Sequence, residues 1–146
     1  MKIAIINGPN LNMLGIREPD IYGSNSYDDL CSNICSYARK KEIEIIFFQS
    51  NGEKEIIDFI QDIYSSVDGI IINPAAFTHY SYALHDAIKS VPTPFIEVHI
   101  SNIHAREGFR NTSVTASACI GSISGFGEDS YIVALDAIYR HISNNI

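Results

Sequence analysis

Ile3-Ala4-Ile5-Ile6, closed by Asn7-Gly8-Pro9, is the stretch that decides the fold. The run is apolar throughout and rich in β-branched residues. It leaves no polar face, so it reads as a strand buried on both sides. Asn-Gly-Pro then breaks it. The signature returns at Ile45-Ile46-Phe47-Phe48, at Ile70-Ile71-Ile72 closed by Asn73-Pro74, and at Phe95-Ile96-Glu97-Val98 after Pro94. Cys119-Ile120-Gly121-Ser122-Ile123 reads as a fifth strand.

Between these runs the apolar period becomes helical. Ser26 opens a helix, with Asp29 three residues on as its capping-box partner. Tyr27, Leu30, Ile34, Tyr37 and Ala38 form its apolar side. A second helix starts near Glu53, with Ile56, Ile60, Ile63 and Tyr64 on one face. A third carries Tyr80, Leu84, Ala87 and Ile88, and the last runs from about Glu128 with Tyr131, Leu135, Ile138 and Ile142. Buried strands alternating with amphipathic helices predict an α/β chain: a flavodoxin-like three-layer sandwich around a five-stranded parallel sheet. Residues 1–146 read as one domain, without repeat, linker or low-complexity tract. Ligands in such sheets bind beyond the carboxyl ends of the strands. The residues after Ile6, Ile72 and Val98 should therefore meet in one crevice.

Composition narrows the function classes. A chain of 146 residues with 46% hydrophobic residues can bury roughly 70% of its unfolded surface and needs no covalent staple. The net charge of −7, with only ten Lys and Arg, argues against nucleic-acid or anionic-membrane partners. The longest apolar run, Tyr131 to Leu135, is far too short to span a bilayer. A turn follows the first strand too early for a signal peptide, so a soluble, cytoplasmic protein is expected. Cys31 and Cys35, at i and i+4, and Cys119 read as core thiols in a reducing compartment. No zinc-binding spacing is present.

The strand ends carry the chemistry. Residues 7–23 form a connection about three times the usual length. It contains Asn10, Asn12, Arg17 and Tyr22. It is either a structured surface loop or a lid. Asn73 ends the third strand, and His79 should begin the next helix, whose N-terminus favours anions. Glu97 and His99 are two apart and share one face of a strand. They form either an ordinary strand-end ion pair or an acid–base pair, in which the carboxylate fixes the tautomer and raises the basicity of the imidazole. Arg17, Arg106 and Arg110 lie in strand-end loops. They are either solvated loop charges or a carboxylate-binding set.

Taken together, these segments resemble the type II 3-dehydroquinase family. The matching stretches are residues 7–23, Gln49-Ser50-Asn51, residues 70–87, residues 96–110 and Gly125-Phe126-Gly127. They lie in order along nearly the whole chain. Asn-Gly-Pro-Asn-Leu-Asn and Glu-Val-His-Ile-Ser-Asn-Ile-His-Ala-Arg-Glu are long, specific blocks. The resemblance implies dehydration of 3-dehydroquinate to 3-dehydroshikimate without metal or organic cofactor, by a flavodoxin-like subunit of a homododecamer built from trimers. It makes Tyr22 the base that removes the C2 proton and Arg17 the arginine that favours the tyrosinate. Asn10 holds a water at the enolate, and His99, backed by Glu97, is the acid that protonates the departing hydroxyl. Substrate contacts are implied for Asn73, His79, Ile100, Ser101 and Arg110, with Asp86 supplied to a neighbouring subunit. Asn12 and Arg106 have supporting places. Four positions depart from the family pattern: Ala75 stands for a glycine, Tyr80 for a small residue, His85 for an arginine and Gly52 for a histidine. The His85 change bears on subunit contacts and local affinity, not on the reaction.

That chemistry is physically coherent. Ionising an ordinary tyrosine at pH 7 costs about 4 kcal/mol, and a neighbouring arginine offsets about 1–3 pKa units of it. The enolate needs hydrogen-bond donors, and hydroxide needs a proton to leave. A Schiff-base route would need a desolvated lysine in the site, and no lysine follows a strand. A flavin carrier would want a loop of small residues where Leu11, Met13, Leu14 and Ile16 stand. A phosphoryl receiver would want acidic residues where Asn10 and Asn73 stand. A non-catalytic descendant of the family would not need Tyr22, Arg17, Asn10 and His99 intact.

Overall fold

A computed structural model describes residues 1–144. Asn145 and Ile146, the end of the expected domain, lie outside the described residues. Five parallel strands, β1 (Lys2–Asn7), β2 (Glu44–Gln49), β3 (Gly69–Asn73), β4 (Phe95–His99) and β5 (Gly121–Ser124), form one sheet. Their order is β2-β1-β3-β4-β5, the doubly wound order expected of a flavodoxin-like chain. Five helices accompany them: α1 (Pro19–Tyr22), α2 (Tyr27–Arg39), α3 (Glu53–Ile63), α4 (Tyr82–Lys89) and α5 (Asp129–Asn144).

Strand parity divides the core in two. Ile3, Ile5, Ile71, Ile96 and Val98 point to one face, where α2 lays Leu30, Ile34 and Ala38, and α5 lays Tyr131, Ala134, Leu135 and Ile138. Ala4, Ile6, Ile70, Ile72 and Phe95 point to the other, against Ile56 and Ile60 of α3 and Leu84 and Ile88 of α4. The three layers follow from this alternation. The α2 start is the expected capping box: Asp29 N donates to Ser26 Oγ at 3.1 Å, and Ser26 N to Asp29 Oδ2 at 2.9 Å.

Several boundaries differ from the sequence reading. β5 begins at Gly121 rather than Cys119, because residues 115–119 close a 3-10 turn in which Cys119 N donates to Ala116 O. β2 and β5 are edge strands and only partly buried. α4 starts at Tyr82, two residues beyond Tyr80, since the Ser81 hydroxyl caps it by accepting from Leu84 N at 3.0 Å. Tyr80 is therefore outside the helix and exposed. The three cysteines are free and partly exposed rather than core residues.

Two features join the strand ends at the switch point. Asn7 and Asn73 are register partners on β1 and β3. Tyr131 of α5 reaches between them: its hydroxyl donates to Asn7 Oδ1 at 2.6 Å and accepts from Asn73 Nδ2 at 2.9 Å. All three residues are buried, and burial pushes the Tyr131 phenol up, so it stays protonated. Just beyond, Gly8 N donates to Asn73 O at 2.7 Å. A Cβ on Gly8 would sit 2.5 Å from the Pro74 carbonyl oxygen, so only glycine lets the two loops meet.

Tyr131→Phe should destabilise the fold by about 1–3 kcal/mol, because both asparagines lose a partner in a site that water does not reach. Urea unfolding should show a lower midpoint with an unchanged slope; an unchanged midpoint would refute the clamp.

Candidate active site

The connection after β1 is neither bare nor featureless. Leu11 and Leu14 bury themselves in the core and root it. Asn10, in the left-handed region at φ 70°, donates its N–H to Asn51 Oδ1 at 3.0 Å. Gln49 Nε2 donates to Asn51 Oδ1 at 3.1 Å and to Gly8 O at 3.2 Å, and lies 3.5 Å from Asn12 Oδ1. The end of β2 thus holds the root of the loop, and Asn12 serves that root from outside the crevice. The loop then turns back through α1, which ends on Tyr22.

Asn10, Arg17, Tyr22, Asn73, His79, His99, Ile100, Ser101, Arg106 and Arg110 line one crevice over the carboxyl ends of β1, β3 and β4. Ten of the thirteen residues singled out above therefore meet. Glu97 lies behind His99, and Asp86 is on the exposed side of α4, outside its own chain's crevice.

Tyr22 is the point of closest convergence. Arg106 Nη1 donates to its hydroxyl at 2.7 Å. The guanidiniums of Arg17 and Arg106 lie 5.2 and 5.3 Å from its ring centroid. The arginine on the hydroxyl is thus Arg106, and Arg17 stands over the ring, a division of roles that the sequence reading had placed on Arg17 alone. Arg106 is held by Glu18 at 3.9 Å, Glu107 at 3.8 Å and Ser101 Oγ at 3.4 Å. Arg110 is anchored by Glu107 Oε2 at 2.9 Å.

Across the crevice, one ring nitrogen of His99 is 2.6 Å from Glu97 Oε1. Both residues are buried. The carboxylate also accepts from Thr78, Ser113 and Thr115. Burial pushes the Glu97 carboxyl up; the His99 hydrogen bond and charge, with the hydroxyls of Thr115 and Thr78, outweigh it and hold the group below its ordinary value. The three hydroxyl residues were missed from sequence, since short polar side chains carry no periodic signal.

His79 does not start a helix. It ends a 3-10 turn, Ala75–His79, and its Nδ1 bonds Thr112 O at 2.7 Å. The anion-favouring helix start expected there is replaced by a histidine fixed to the opposite loop. Ala75 opens that turn at φ 51°, the left-handed backbone that a glycine adopts without the penalty of about 1–2 kcal/mol for other residues. His85 turns to the same opposite loop, on Val114 O at 2.7 Å. Among the described residues no group of three or more His, Cys, Asp or Glu side chains is placed to hold a metal ion.

Comparison with known proteins decides the family. The sequence model described as "Dehydroquinase class II" matches residues 1–139. The chain belongs to the class II dehydroquinase family. It is 59% identical over 139 residues to the 3-dehydroquinate dehydratase of Clostridium beijerinckii, covering 94% of this chain and 95% of that one. The corresponding enzyme of Caldicellulosiruptor bescii is 63% identical over 138 residues, with 94% and 95% covered. The crystal structure of type II dehydroquinase from Butyrivibrio crossotus superposes with a TM-score of 0.94 at 53% identity, covering 95% of this chain and 97% of that chain. The Butyrivibrio crossotus dehydroquinase thus shares this sandwich.

Because Glu97 is held below its ordinary value, it adds stability that is complete above the ordinary carboxylate range and is lost as pH falls through the lowered folded value. The stability difference between wild type and Glu97→Gln should therefore shrink on acidification from about pH 5 downwards. Urea midpoints across that range measure it, and a constant difference would contradict the ionised carboxylate.

Proposed function

We propose that the crevice dehydrates 3-dehydroquinate to 3-dehydroshikimate, the hydro-lyase reaction of type II dehydroquinases in the shikimate pathway. The observation that carries this reading is the pairing across one crevice of Tyr22, whose hydroxyl is held by Arg106, with the buried Glu97–His99 pair. This arrangement occurs in a chain whose relatives bear the name 3-dehydroquinate dehydratase.

Tyr22, as the phenolate, takes the C2 proton. The hydrogen bond from Arg106 and the guanidinium of Arg17 over the ring both favour negative charge on the phenol. The C2–H electrons become an enolate, whose oxygen needs a donor; a water bound by Asn10 would supply it. Collapse of the enolate breaks the C1–O bond. His99 gives its proton to the departing hydroxyl, which leaves as water, and Glu97 stabilises the imidazolium beforehand. Asn73, His79, Arg110, Ser101 and the backbone near Ile100 orient the substrate, with Arg110 facing its carboxylate. Arg106 and Asn12 support Tyr22 and the loop root. Nothing in this sequence of steps requires an organic cofactor or metal.

We also propose the trimer-based homododecamer. Its support is that Asp86 is exposed on α4 and outside its own crevice; in the assembly it would serve a neighbour's. No helix among the described residues is long and apolar enough to cross a membrane. A cytoplasmic setting suits the free thiols of Cys31, Cys35 and Cys119.

Adding 3-dehydroquinate to purified, chelator-treated protein should raise the near-UV absorbance as the conjugated product forms; a flat trace from folded protein would refute the activity. Tyr22→Phe and His99→Ala should each lower kcat by about 10²–10⁴ while folding normally. Arg110→Ala should raise KM more than it lowers kcat, because it removes a charge-assisted carboxylate contact. Near-wild-type kcat in either of the first two variants, or an unchanged KM in the third, would remove that residue from its role.

A further inference from the structure

Glu97 is a fully buried carboxylate, and among the described residues its one ion-pair partner is His99. No lysine or arginine shares its charge. A buried anion needs compensation, and here hydroxyls provide it. Thr78 Oγ1 is 2.5 Å and Ser113 Oγ 3.0 Å from Oε1, and Thr115 Oγ1 is 2.5 Å from Oε2.

Proton accounting ranks these contacts. Each hydroxyl has one proton to give, and an ionised carboxylate only accepts. Oε1 is reached by His99, Thr78 and Ser113, so it loses little if one donor turns away. Ser113 Oγ is 2.7 Å from Thr78 Oγ1, which offers its proton a second acceptor. Among the described residues Oε2 has Thr115 alone. The Thr78 and Thr115 hydroxyls are 2.8 Å apart. If Oε2 gained a proton, it could donate to Thr115, whose own proton would turn to Thr78. The ring thus fits both protonation states, and the donors aimed at the carboxylate decide which is favoured.

We propose that Thr115 is a positioning residue of the dehydration: its hydroxyl keeps Glu97 anionic, and that anion orients His99 and pairs with its imidazolium as the general acid. The inference rests on His99 having that role. Thr115 itself touches neither substrate nor the reacting atoms. The loop that carries it is laced to the β3–α4 side by Val114 N on Thr78 O at 2.7 Å and by His79 and His85 on its carbonyls. The other titratable groups that line the crevice with His99 are Tyr22 and Arg17 from the β1 loop, Arg106 and Arg110 after β4, and His79; His85 holds the loop of Thr115 through Val114 O, and Cys119 feels the Glu97 charge. Burial, with the Glu97 charge, pushes the Cys119 thiol up to about 12, so it stays neutral through the working range.

Three variants separate the hydroxyl from the shape of the side chain: Thr115→Val keeps the volume, while Thr115→Ser and Thr115→Ala differ in the hydroxyl alone. The His99 imidazole is titrated by nitrogen NMR in each free enzyme, and kcat is followed against pH. Loss of the Oε2 donor makes Glu97 easier to protonate and His99 less basic. In Thr115→Val and Thr115→Ala the His99 midpoint and the alkaline limb of kcat should therefore move down by roughly one pH unit. At neutral pH kcat should fall roughly tenfold, with KM nearly unchanged. Thr115→Ser should retain wild-type behaviour. Unshifted titrations in Thr115→Val and Thr115→Ala, or equal shifts in Thr115→Ser and Thr115→Ala, would overturn the inference. If Thr115→Val does not fold, the Ser and Ala pair decides. Wild-type protein without dehydratase turnover overturns the proposed function, and with it the general-acid role. Active wild type with unshifted variants overturns this inference alone.

Discussion

The hydroxyl of Tyr131, held between Asn7 and Asn73, is the contact on which the crevice depends. The two strands that part at the switch point of the sheet end in amides, and amides buried without partners are costly. One phenol satisfies both from a helix on the far side of the sheet. It also orients them, since the phenol has a single proton and gives it to Asn7. Asn73 must then present its amino group to Tyr131, and its carbonyl oxygen accepts from Ala75 N at 3.1 Å. The turn that carries His79 is launched from that bond. Packing of α5 and placement of a crevice residue are in this sense a single event.

The site separates its charges. Cations gather on the loop side, where Arg17 and Arg106 stand at Tyr22 and Arg110 lines the same crevice, with Glu18 and Glu107 at their outer edges. Glu97, the one fully buried carboxylate among the described residues, lies beneath His99 and is met by hydroxyl dipoles. A lysine or arginine beside Glu97 would compete with His99 for it; hydroxyls stabilise the anion and leave the imidazole as its one ion-pair partner among the described residues. The two halves present opposite charges to the crevice, guanidiniums beside a phenol on one side and a carboxylate beside an imidazole on the other.

Much of this was legible in the residues. The β-branched runs of β1, β3 and β4 are long enough, and apolar enough on both faces, to be read as central strands of a parallel sheet. The Ser26–Asp29 capping box marked the start of α2 to the residue. The Asn-rich block and the Glu-Val-His block pointed to the strand ends that line the crevice. What stayed hidden has physical causes. Thr78, Ser113 and Thr115 act on Glu97 across 16–19 residues of chain, and no local pattern encodes such a contact. Arg17 and Arg106 are chemically equivalent in one dimension, and only the path of the loop shows which reaches the Tyr22 hydroxyl. The shift of α4 to Tyr82 arose because Ser81, an unremarked cap, competes with the apolar spacing that includes Tyr80. The start of β5 was obscured because Cys119 and Ile120 are as apolar as a strand but belong to a turn.

The loop over the crevice has a fixed root and a free arch. Gly8, Asn10, Leu11 and Leu14 are tied to β2, β3 and the core, whereas residues 16–22 cross to the other wall chiefly through Tyr22 and Glu18, both on Arg106. Any swing of the arch that admits substrate or frees product must break the Arg106–Tyr22 hydrogen bond, while Asn10 stays where it is. The contact that puts a guanidinium on the phenol is therefore also a latch. An open arch would carry Tyr22 with Arg17 still over its ring but without Arg106 on its hydroxyl, so the two guanidiniums meet at one phenol only while the arch is closed.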